Sequence, residues 1–117
     1  MNANELRIGN YVETNIESKK YKEIDVNHLD ISLLVQFKGR RYKPIPITEQ
    51  WLIDLGFTKP RSIIVEYKKN GFELYFITTD DFYQAELGSF TIDVKFVHQL
   101  QNLYFALVGE ELTKLKP

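Results

Sequence analysis

Cysteine is missing from all 117 residues, which excludes disulfides and every thiolate zinc site and gives no reason to expect an oxidising compartment. No apolar run approaches the roughly 18 residues that cross a bilayer, and the start MNANELRIGN is polar where a secretory leader is apolar. The expectation is a soluble protein of the reducing cytoplasm with no membrane partner. Basic excess is missing too. Fifteen lysines and arginines stand against 16 acids, a net charge of −1, so general attraction to phosphate backbones is weak. The six glycines, at 9, 39, 56, 71, 88 and 109, are scattered as punctuation and form no phosphate-cradling loop. No Gly-x-Ser-x-Gly is present, and the two histidines, His28 and His98, lie far apart. Neither a metal nor a cofactor is expected.

What is present suits a folded chain. Hydrophobic residues make up 44% and aromatics 14%, well away from the polar, charge-rich composition of disordered segments. At this length one core buries roughly two-thirds of the unfolded surface. No repeat, low-complexity tract or linker divides the chain, so it reads as a single domain, 1–117.

The opening ELRIGNYVET alternates Leu6 and Ile8 with Glu5 and Arg7, then places Gly9-Asn10 where the backbone turns. Strand-compatible pieces follow around Tyr21 to Val26 and Ile31 to Phe37, with a turn at Gly39. Together, 1–43 is expected to be a small curled β-unit of the SH3-like barrel type. The segment PIPITEQWLIDLGF, within 44–57, carries concordant signals for one short helix. Pro44 and Pro46 force an extended entry, Thr48 caps, Ile47 and Leu52 hold staple positions, and Gly56 supplies the left-handed close. Trp51 is expected to be half-buried.

From 62 to 96 the pattern has period two. IIVEYK and FELYFI flank Lys69-Asn70-Gly71, a strong hairpin signal, and FYQAEL and FTIDVKF flank Gly88-Ser89. A four-stranded antiparallel meander with one wet face is expected. The helix over 97–109 then covers the dry face with Val97, Leu100, Leu103, Tyr104, Leu107 and Val108. Gly109 stops it, and Glu110, Glu111, Lys114 and Lys116 lead into a frayed tail. The fold class is α+β.

Three groups of residues are candidate sites. Asp80, Asp81, Glu86, Asp93 and Lys95 resemble the carboxylates and lysine of a magnesium-dependent nuclease, although an ordinary wet β-face alternates such residues with apolar ones. Between Leu33 and Ile47 stand Lys38, Arg40, Arg41 and Lys43 with no acid, next to Phe37 and Tyr42. Cations interleaved with aromatics suit single-stranded nucleic acid or a protein partner, although on a chain of near-zero net charge a bare charged loop is the more ordinary reading than a nucleic-acid patch. Glu73 to Asp93 holds five acids and no base, so charge is polarised along the chain. On the last helix His98, Asn102 and Phe105 share one side, which is either an interface strip or a face packed under the N-terminal unit.

Three blocks, NELRIGNYV (4–12), YKPIPITEQWLIDLGF (42–57) and FVHQLQNLYFALVGEEL (96–112), resemble a family of small uncharacterised proteins found in Bacteroidetes genomes and their phage-like elements. The resemblance implies a short stand-alone protein near mobile DNA, with no activity attached to any residue. The leading expectation is therefore a non-catalytic binding or adaptor module with a protein partner. The nuclease and a self-associating assembly protein, joined through an open edge of the meander, stand as alternatives.

Overall fold

The computed structural model describes residues 5–15, 21–36, 40–58, 66–77, 82–87 and 90–115. The chain forms two compact units. One comprises Met1–Pro46 with Phe96–Asn102, the other Ile47–Lys95 with Leu103–Pro117.

The first unit holds β1 (Tyr11–Thr14), β2 (Lys22–Asp25), α1 (His28–Gln36) and β3 (Tyr42–Lys43). Its sheet is antiparallel in the order β2-β1-β3, with Val12 opposite Ile24 and Thr14 opposite both Lys22 and Tyr42. Val12, Thr14 and Tyr42 on one face are buried. Leu6, Val26 and Leu34 complete this core, with Ile24, Ile31 and Leu33 packed against it. The chain enters β1 through a four-residue turn. The Asn10 amide donates to the Arg7 carbonyl (3.1 Å) and Gly9 stands at φ +95°, a conformation glycine adopts without a Cβ clash.

Two expectations for this unit are corrected. Residues 28–36, which include most of the Ile31 to Phe37 piece expected as a strand, form a helix. Its start is fixed by a reciprocal cap: the Asp30 amide donates to Asn27 Oδ1 and the Asn27 amide to Asp30 Oδ2, both at 3.0 Å. This aspartate-for-glutamate version of a capping box satisfies two otherwise orphaned donors and overrides the β preference of Ile31 and Val35. The sheet is also open, three strands carrying α1, so the described residues form no SH3-like barrel.

In the second unit α2 (Glu49–Asp54) matches its sequence signals at each end. Thr48 Oγ1 accepts the Trp51 amide (3.2 Å). At the other end the Gly56 amide donates to Ile53 O (3.0 Å) and the Phe57 amide to Leu52 O (2.9 Å), with Gly56 at φ +91°. That is the paired bonding of a Schellman close. Lys69 Nζ takes the adjacent Leu55 carbonyl at 2.6 Å.

The meander runs β4 (Glu66–Lys69), β5 (Phe72–Ile77), β6 (Phe82–Leu87) and β7 (Phe90–Val94), in that order across one antiparallel sheet. Asn70 and Gly71 both take positive φ, 50° and 80°, as a two-residue hairpin turn requires. Gly88-Ser89 lies outside the described residues. Tyr67, Leu74, Tyr83, Ala85 and Val94 are buried. Register puts Ile92 opposite Ala85, yet Ile92 is 42% exposed.

The last helix, α3 (Val97–Val108), contributes its first turns to one unit and the rest to the other. Val97, Leu100 and Tyr104 are buried as expected, but Leu107 is half exposed, and Gln101 and His98 are buried instead. The tail is not frayed as far as Leu115. Leu112 is fully buried, the Leu115 amide donates to Asp54 O (2.7 Å), and Lys114 Nζ lies 4.2 Å from the centre of the half-buried Trp51 ring.

Candidate functional site

The polar residues at the start of α3 assemble into a buried network within the first unit. The side chain of Gln101, 1% exposed, accepts the Tyr11 amide at 2.8 Å and donates to the Gly9 carbonyl at 3.1 Å. Asn10, equally buried, accepts the Arg7 amide (2.6 Å) and donates to Asn102 Oδ1 (2.9 Å). Asn102 in turn donates to the Glu5 carbonyl (2.9 Å) and accepts from the Arg7 guanidinium (3.3 Å). Apart from the Arg7 guanidinium bond, each answers a main-chain group of the 5–11 segment or another amide in the cluster. The turn is tied to Val26 through the Gly9 amide and the Asn10 carbonyl, both at 2.7 Å, and these side-chain amides take up main-chain groups left over, as buried backbone polar groups require.

His98 is 3% exposed, stacked on Phe96 with ring centres 6.0 Å apart and planes 10° from parallel. Burial holds its imidazole below the ordinary value of 6.5, with the charge of Glu5 pulling the other way. A histidine whose folded value is depressed releases its proton on folding. Its contribution to stability is complete above pH 6.5 and declines as the pH falls below that value. Urea midpoints measured from about pH 7 down to about pH 5 should fall more steeply in the native chain than in His98→Gln. Equal slopes would contradict this.

Among the other candidates, Phe105 is 40% exposed. Tyr42 is taken up by the core and is not presented to a partner: it is 3% exposed and its hydroxyl donates to Asp30 Oδ1 at 2.8 Å. Burial, and then the Asp30 carboxylate, push its phenol far above its ordinary range. Arg40, Arg41 and Lys43 are exposed; Lys38 lies outside the described residues. Lys43 Nζ sits 4.3 Å from the centre of the Tyr21 ring, and the Tyr21 hydroxyl donates to the Arg40 carbonyl at 3.4 Å. The Arg41 carbonyl is held by Thr14 Oγ1 (2.8 Å) and the Asn15 amide (3.2 Å). Cross-strand register sets Glu13 opposite both Lys43 and Glu23, so acids accompany these cations. Tyr21, just before β2, was missed in the sequence because its partner Lys43 lies far along the chain in β3.

Of the nuclease residues, Asp80 and Asp81 lie outside the described residues. Glu86 and Asp93 are exposed on neighbouring strands, with Glu86 opposite Thr91 and Asp93 opposite Gln84. They share a face but sit diagonally, about 7–8 Å apart by sheet geometry. Asp93 Oδ1 accepts the Gln84 amide (3.0 Å), and Lys95 is exposed beyond the end of β7. Among the described residues no three His, Asp or Glu side chains gather where they would hold a metal ion. No helix among them is long and apolar enough to cross a membrane. No family model, no curated protein and no solved structure matches the chain.

Proposed function

We propose that the protein is a non-catalytic binding module whose partner is another protein, met at the corner formed by Tyr21, Arg40, Arg41 and Lys43. The observation that carries this reading is the placement of the exposed Tyr21 ring under Lys43 and against the Arg40 carbonyl. Tyrosine and arginine, with tryptophan, are enriched at the energetic centres of interfaces. A ring already held by a cation and a hydrogen bond has less side-chain freedom to lose on association. Glu13 on β1 and Glu23 and Asp25 on β2, in the same sheet as Lys43, favour a protein carrying both signs of charge over a phosphate backbone, which they repel. The phage-like origin suggested by the three sequence blocks belongs to the same proposal and rests on those blocks.

Affinity capture from the source cells tests it. The native chain should retain a defined protein that the triple variant Tyr21→Ala, Arg40→Ala, Lys43→Ala loses, with thermal melting of the chain unchanged. Retention by both chains would count against this corner. Salt-sensitive capture of single-stranded oligonucleotides in place of a protein would move the reading to nucleic acid.

A further inference from the structure

The meander has two outer strands, and they are finished differently. Beyond β4, Thr58 and Lys68 exchange both main-chain bonds, at 2.9 and 2.8 Å, and the Lys68 side chain is exposed. A covering segment and an edge lysine both keep a sheet from pairing with another chain. β7 has neither. From Phe90 to Val94 every residue faces one on β6 without a bulge, the strand carries no lysine or proline, and among the described residues it stands at the end of the sheet. One bond fixes where its outer groups point. The Lys95 carbonyl, just past β7, accepts the Ile47 amide at 3.1 Å, and main-chain direction alternates along a strand, so the N–H and C=O of Asp93 and Thr91 lie on that same outer side. Among the described residues no main-chain bond meets them there.

The side chains along this edge indicate what would pair with it. Thr91, Ile92 and Asp93 are all exposed. Ile92 belongs to the dry face, opposite the fully buried Ala85, and is nevertheless 42% exposed; a further strand would cover it. On the wet face stand Asp93 and, opposite Thr91, Glu86, both exposed. Asp93 Oδ1 accepts the Gln84 amide at 3.0 Å, but that donor is neutral and leaves the charge in place. The base next along the chain, Lys95, stands past the end of the strand. A second copy of β7 would bring two more carboxylates to this face, and like charges on paired strands are destabilising. A basic strand would meet opposite charge.

We propose that β7 takes on an added strand, an extended basic segment of another protein, with an aliphatic residue facing Ile92 between two lysines or arginines facing Thr91 and Asp93. Main-chain bonds to Thr91 and Asp93 supply attachment, and the alternating side chains supply selection. A basic side chain facing Asp93 meets its carboxylate directly; one facing Thr91 extends over that small side chain towards Glu86 on the next strand. The edge lies in the second unit, is separate from the Tyr21 corner and does not depend on it.

The probe is the peptide acetyl-Lys-Val-Lys-Val-Lys-amide, followed by the NMR signals of the Thr91, Ile92 and Asp93 amides. Its Glu-Val-Glu-Val-Glu counterpart reverses the charge, and the lysine peptide methylated on its main-chain nitrogens keeps the charge without the ladder donors. Saturable shifts centred on these three amides are expected with the unmethylated lysine peptide alone. Affinity should be about fivefold weaker in the double variant Glu86→Gln, Asp93→Asn, the scale of two exposed ion pairs. Both side chains are exposed and an asparagine at position 93 still accepts from Gln84, so the variant should fold normally. The proposal is overturned by the absence of a saturable shift, and equally by undiminished affinity in the double variant or equal binding of the glutamate peptide, which would remove charge as the selector. Equal binding of the methylated peptide would show attraction without strand pairing and overturn it too. So would concentration-dependent shifts of the same amides without peptide, which would give the edge to a second copy.

Discussion

Replacing Tyr104 by alanine is expected to destabilise the chain by about 4 kcal/mol, whereas Tyr104→Phe should cost only about 1 kcal/mol. Tyr104 is 1% exposed and its ring closes a three-ring cluster, 5.5 Å from Phe72 and 6.3 Å from Phe57 between ring centres, those two being 6.1 Å apart. Alanine would leave a cavity that neither ring fills without leaving its rotamer. Phenylalanine keeps those contacts and loses the hydroxyl that accepts Asn70 Nδ2 at 2.9 Å. Asn70 is exposed, so water replaces the lost bond at small net cost. Urea unfolding of the two variants checks the ratio; equal losses would mean that the hydroxyl, and not the ring, holds this part of the second unit.

Gln101→Leu should cost about 3 kcal/mol although it replaces an amide by an apolar side chain of similar size at a buried position. A leucine there leaves the Tyr11 amide and the Gly9 carbonyl without the partners they have at 2.8 and 3.1 Å. Asn10→Ala in the same background should cost less than it does alone, because both residues belong to one network. Native-state hydrogen exchange at the Tyr11 amide should quicken markedly in Gln101→Leu. Unchanged exchange there, with unchanged stability, would show that the cluster contributes nothing to the N-terminal unit.

These two residues also show where sequence reading succeeds and where it stops. The ends of α2 and the Asn70-Gly71 hairpin were legible because each rests on groups a few residues apart: Thr48 with Trp51, Gly56 with Ile53, Phe57 with Leu52. Helix α1 rests on an equally local pair, Asn27 and Asp30, but its β-branched residues and weak periodicity concealed the cap. Helix α3 was legible as a helix and misread in rotation. An apolar count favours Leu103 and Leu107, while the buried sector turns towards Gln101 and His98 because the backbone of Gly9 and Tyr11 needs an amide. Nothing in the residues around Gln101 announces a partner some ninety positions away. The same limit applies to the site. The basic run was visible, but the Tyr21 ring that supports Lys43 comes from just before β2, some twenty positions away, and Tyr42, read as part of the surface, belongs to the core.

The division between a polar cluster that folds the N-terminal unit and a corner that meets a partner is tested most directly by site-specific photocrosslinking. A benzophenone side chain is placed once at Tyr21 and once at Phe105, both aromatic positions with exposed surface, and each chain is irradiated in source-cell extract. A discrete protein adduct at position 21 and none at position 105 is the predicted result. An adduct at position 105 with none at 21 would place the partner on the side of α3 and contradict the assignment.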